Sequence, residues 1–134
     1  MKFFLKVITS LLLLINGIGA IYGGSNLILH PDGSSIQLSL QWLQHTPFHN
    51  YFIPGIILFI ANGLLSMFVF MALLLKYKNY PWLVIAQGVV LTGWIVIQIL
   101  LIQTVYFLHI ILGSFGIALI LLGILELQLE RQDK

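Results

Sequence analysis

Four runs of about 20 predominantly apolar residues decide what this chain can fold into. That is the length of α-helix that crosses a hydrocarbon core of ~30 Å at 1.5 Å per residue. The runs cover roughly residues 3–22, 53–75, 81–102 and 105–127. The last two are nearly continuous. As one helix they would reach roughly 70 Å, so the chain must turn, and Gln103-Thr104 is the polar pair near the midpoint. A soluble fold is excluded by composition. Of 134 residues, 60% are apolar and 7% charged, against about 25% charged in soluble domains, and a small domain cannot hide that much apolar surface. The expected architecture is all-α: one polytopic membrane domain over residues 1–134, a bundle of four transmembrane helices with one long outer loop, residues 23–52.

Basic residues set the expected orientation. Lys2 and Lys6 precede the first run, Lys76 and Lys78 separate the second from the third, and Arg131 and Lys134 follow the fourth. All fall on one side of a four-pass path, which predicts that both termini are cytoplasmic. Tyr22, Trp42, Tyr51 and Tyr106 fall at the expected outer boundary, and Tyr77, Tyr80 and Trp82 at the inner one, as an interfacial aromatic belt requires. Trp94 lies mid-helix. The N-terminus imitates a signal peptide, but its apolar stretch runs on to Tyr22, a spanning length, which predicts a retained helix.

The outer loop carries most of the chain's local punctuation. His30-Pro31-Asp32-Gly33 reads as a β-turn with Pro at its second position. Ile36, Leu38, Leu40 and Trp42 alternate with polar residues, as in a short strand, or else a small interfacial helix covers Ser39–Gln44. Thr46-Pro47 reads as an N-cap and first helical residue. It opens an interfacial helix over Pro47–Ile53 that kinks at Pro54-Gly55.

Polar side chains inside a bilayer are expensive, so each needs a reason. Asn16, Asn62, Ser66, Gln87, Thr92, Trp94, Gln98, His109 and Ser114 lie within the apolar runs. By depth, Gln98 and His109 sit roughly 6 Å from the outer boundary and Asn16, Asn62 and Trp94 roughly 9–14 Å from it. Gln87 belongs to the inner half. Two readings stand. The polar groups are interhelical hydrogen bonds, worth about 0.6 kcal/mol each on average. Alternatively Asn16, Asn62, Trp94, Gln98 and His109 line an outward-facing ligand pocket between the helices.

Other chemistries are thinly supported. With no cysteine, disulfides, thiol redox and Cys-ligated metals are excluded. His45 and His49 have a helical ligand spacing, but Pro47 stands between them, so no metal site is expected. His109 is the single intramembrane histidine, which argues against bis-histidine haem. No cofactor is implied. Glu126, Glu130 and Asp133 read as a solvated helix end, leaving no intramembrane carboxylate and weakening an ion-driven carrier. A net charge of +2 points to no nucleic acid. Expected partners are membrane lipids, with a membrane protein or a second copy packing on the small residues Gly19/Gly23 or Gly113/Gly116.

The stretch HPDGSSIQLSLQWLQHTPFHNYFIPG, with Asn62-Gly63 in the next helix and WIVIQ in the third, resembles a group of small bacterial four-helix integral membrane proteins. That resemblance implies the layout and a bacterial inner-membrane location, and no activity. The size and four-helix layout are also similar to DoxX-like membrane proteins, without a shared motif. Three functions are consistent with the residues. One is a non-enzymatic accessory subunit or binder of a lipid or lipophilic molecule. Another is a redox or lipid-modifying enzyme using Asp32, His45 and His49. The third is a small oligomeric channel or carrier.

Overall fold

A computed structural model describes residues 2–34, 43, 47–102 and 107–132. It contains four helices long and apolar enough to cross a membrane. We label them α1 (Lys2–Leu29), α2 (Phe52–Leu74), α3 (Tyr80–Ile102) and α4 (Phe107–Gln132). Among the described residues there is no strand. The strand or short helix expected over residues 36–44 lies outside the described residues, apart from a buried Leu43.

The helices form two close pairs, α1 with α2 and α3 with α4. In lipid there is no hydrophobic drive between helices, so close pairs need small residues that let backbones approach. A Cβ placed on Gly24 would stand 2.9 Å from the Gly55 carbonyl oxygen, and one on Gly55 would stand 2.7 Å from Leu27 Cβ. In the second pair a Cβ on Gly88 would stand 2.7 Å from the Gly116 carbonyl oxygen, and one on Gly123 3.0 Å from that of Pro81. No side chain fits at these crossings. The Gly116 face is therefore occupied within the bundle. Gly19 meets nothing within 4 Å.

Between the pairs runs a seam. Its apolar part is Leu13 of α1, Val69 and Leu73 of α2, Val84, Leu91 and Ile95 of α3, and Leu119 of α4. The outer faces stay apolar, with Leu11, Ile15, Phe68, Leu100 and Ile110 all exposed, as a bilayer solvent demands. The start of α1, the start of α3 and the end of α4 share one end of the bundle, where Lys6 stands over the Tyr80 ring and Thr9 meets Glu126.

Three expectations are corrected. First, α1 does not stop at Tyr22 but runs seven residues further, through Gly23-Gly24. These glycines mark a helix crossing and not a helix end, and Leu27 beyond them is buried. Second, Pro47–Asn50 is not helical. Helix α2 opens at Phe52, whose N–H donates to Asn50 Oδ1 at 3.0 Å. Pro54 falls in the first turn, where a missing N–H breaks no helical bond. Third, the irregularity of α2 is not a proline kink but a π-helical stretch, Leu58–Leu64. The buried pairs Pro54-Gly55 and Asn62-Gly63 are eight residues apart. At 3.6 residues per turn the second pair would sit about 80° round the axis from the first. Underwound turns bring both pairs onto the face that meets α1.

The expected turn at residues 30–33 is present: the Gly33 N–H donates to the His30 carbonyl at 3.0 Å, with Gly33 at φ 79°. The Tyr51 N–H donates to the Pro31 carbonyl at 2.8 Å, tying the two ends of the loop together. Helix α2 ends in a Schellman motif. The Tyr77 N–H reaches the Ala72 carbonyl and the Lys76 N–H that of Leu73, with Lys76 left-handed at φ 58°.

Candidate functional site

Apart from Thr92, whose hydroxyl is buried at the Gly116 crossing, and the exposed Ser114, the polar groups of the apolar segments fall into three places. The first is mid-seam. Asn16 of α1 donates from Nδ2 to Ser66 Oγ at 2.7 Å and lies 3.4 Å from the Asn62 carbonyl oxygen. Gln87 of α3 donates from Nε2 to Asn62 Oδ1 at 3.4 Å. Asn62 and Gln87 are both 0% exposed. Their remaining groups, Asn62 Nδ2 and Gln87 Oε1, have no partner among the described residues. Turning both amides over would exchange the roles but leave one donor and one acceptor unused. The helical spacing that places them is plain. Leu5, Thr9, Leu13, Asn16 and Ala20 form one buried stripe of α1, and Tyr80, Val84, Gln87, Leu91 and Ile95 one of α3.

The second place is the far end of the α3/α4 pair, where His109 Nε2 and Gln98 Oε1 lie 3.1 Å apart. Gln98 is eleven residues along α3 from Gln87, about 16 Å. The five side chains expected to share one pocket are thus distributed. Asn16 meets Asn62, Gln98 meets His109, and Trp94 lies between, half-buried against the core with its indole N–H unpartnered.

The third place was missed by sequence. Glu126, expected at a solvated helix end, is buried: it is 2% exposed and its Oε1 accepts from Thr9 Oγ1 at 3.0 Å. Thr9 lies six residues inside Phe3, about 9 Å along α1. A buried carboxylate therefore lies within a spanning helix, correcting the expectation that none does. The signal was present in the spacing. Gly116, Leu119, Gly123 and Glu126 recur at three and four residues, one helix stripe, so Glu126 continues the packing face and not the exposed one.

In the loop, Asp32 and His49 are both exposed, and His45 lies outside the described residues. The Asp32 carboxylate accepts from the Ser34 N–H at 3.0 Å, which holds it below the usual carboxylate range. Among the described residues no three His, Asp or Glu side chains gather as metal ligands would. No family model, curated protein or solved structure matches the chain.

Proposed function

We propose that the protein is a non-catalytic membrane protein that holds the polar end of a lipid or other small lipophilic molecule in the seam of its bundle. It does so alone or as the accessory subunit of a membrane complex. The supporting observation is the Asn62–Gln87 pair, two wholly buried amides that leave one donor and one acceptor unused. An unsatisfied buried polar group costs about 1–3 kcal/mol. A hydroxyl, or a carbonyl beside a hydroxyl, would satisfy both groups at once, while its apolar remainder suits the surrounding Leu and Val side chains. Trp94, Gln98 and His109 continue the polar groups of the α3/α4 pair toward the end of the bundle where α3 ends and α4 begins. We further infer a bacterial inner membrane, from the resemblance carried by the outer-loop stretch, with both termini cytoplasmic, from the basic residues that all flank the spans on one side of a four-pass path.

Native mass spectrometry of the protein, extracted gently from its own membrane, tests the reading. Wild type should retain a defined small molecule. Gln87→Leu should lower that retention about tenfold, the effect of one lost hydrogen bond of ~1.4 kcal/mol. A wild-type protein carrying only bulk lipid in bulk proportions would make the amides interhelical ties and end the proposal.

A further inference from the structure

Where α1 and α3 begin and α4 ends, Lys6, Tyr80, Glu126 and Glu130 line a cavity of about 60 Å3. Glu126 is the buried member, 2% exposed. Its Oε1 lies 3.0 Å from Thr9 Oγ1, and its Oε2 is buried without a partner among the described residues. Lys6 Nζ stands 5.5 Å from the centroid of the Tyr80 ring. Thr9 Oγ1 also lies 2.8 Å from the Leu5 carbonyl oxygen, so its single hydrogen is shared between two acceptors.

Chemistry sets three conditions on what completes this cavity. It must donate a hydrogen bond to Oε2. A proton alone does not meet this condition. On Oε1 it would serve Thr9 and leave Oε2 a bare carbonyl oxygen; on Oε2 it would make a donor without an acceptor. The occupant must also be cationic. Two carboxylates face one ammonium among the lining groups, and excess charge inside an apolar span is costly. Finally, it must be compact and suit an aromatic wall. A primary ammonium meets all three conditions, and the lysine of this same cavity already places one over the Tyr80 ring.

We propose that this cavity binds the ammonium end of a primary amine, with Glu126 as the anchoring carboxylate and Glu130 as the outer one. The amine is either the headgroup of an aminophospholipid or a small soluble amine. The site lies within about 9 Å of the start of the α1 span, near headgroup level, with Lys6 placed to meet a headgroup phosphate. It is independent of any ligand at Asn62 and Gln87.

The test uses the full chain in nanodiscs of phosphatidylcholine, with and without phosphatidylethanolamine. Methylammonium and tetramethylammonium serve as soluble probes. Retention of phosphatidylethanolamine over phosphatidylcholine, displaced by methylammonium, supports the headgroup source, because the choline nitrogen has no N–H to donate. Saturable binding of methylammonium but not tetramethylammonium, without lipid preference, supports the soluble source. Equal binding of the two probes, or of neither, with no lipid preference, overturns the proposal. Glu126→Gln should weaken binding about thirtyfold, as removal of one partner of a buried charge pair does. Unchanged selectivity in Glu126→Gln also overturns it. Should that variant fail to fold, the wild-type selectivity decides alone.

Discussion

Inside the α1/α2 and α3/α4 pairs the helices meet backbone to backbone at glycines, with the side-chain contacts Asn16–Ser66 and Gln98–His109 beside those crossings, while between the pairs they meet through side chains. The first kind of contact has no alternative arrangement, because a Cβ at Gly88 or Gly55 would overlap the facing helix. The second kind includes polar groups with bonding capacity left over: Asn62 Nδ2, Gln87 Oε1 and Glu126 Oε2. In lipid both solve the same problem, since neither can lean on the hydrophobic effect. They solve it differently. Glycine contacts fix each pair as a unit. The seam leaves polar groups for something else to satisfy.

This contrast can be broken experimentally, and the largest effect should come from within a pair. Gly88→Ala should cost about 2–3 kcal/mol, because backbone atoms of Gly116 and Ile120 must move. Gly93→Ala, on the same helix with open space around it, should stabilise by about 0.5 kcal/mol through the restored helix propensity. Unfolding in mixed micelles would measure both. Equal effects at the two positions would dissolve the distinction. Across the seam, Gln87→Leu should cost only about 1 kcal/mol in the same assay. Glu126→Leu should change stability by less than about 1 kcal/mol, since an apolar group can replace a half-satisfied buried carboxyl without loss; a loss as large as that of Gly88→Ala would make the seam as obligatory as the pairs.

The links refine the picture with effects no larger than those of the seam. Lys76 holds a left-handed conformation at the link joining the pairs. Lys76→Gly should stabilise by about 1 kcal/mol, the strain a side chain incurs there. The turn closing the α1/α2 pair should depend on acidity. Asp32 is held below its usual range by the Ser34 N–H. The ordering it provides is therefore complete above the ordinary carboxylate range and lost as pH falls through the lowered value. Hydrogen exchange at the Ser34 amide should accelerate on that descent, relative to neighbouring amides. In Asp32→Asn the extra acceleration should be absent.

Helix count and helix type were legible because apolar run length is set by bilayer thickness. The errors have separate physical sources. The first helix was expected to end at Tyr22 because the spanning length was complete there, yet the helix runs on and Gly24 admits Phe59 and Gly55. Glu126 was read as solvated because glutamate near a terminus usually is, yet it lies on the stripe of Gly116 and Gly123. Asn62 and Gln87 were recognised as costly polar groups, but their meeting depends on helix rotation. That rotation is set by the π-helical turns, and a seven-residue stretch such as Leu58–Leu64, with Asn62 as its one polar residue, is too short to show a periodicity from which to read them.

Those turns leave the protein with a counting constraint. Soluble and membrane proteins alike tolerate added or missing residues in loops and rarely in helices. Here a span carries a built-in surplus, and the surplus sets the angular position of everything before it. A chain one residue shorter between Leu58 and Leu64 would rotate Pro54 and Gly55 by about 100°. Their contacts with Gly24 and Leu27 would be lost, and Tyr51, bonded to the Pro31 turn, would swing with them. The length of that segment, more than the identity of any residue in it, keeps Tyr51 in reach of the Pro31 carbonyl.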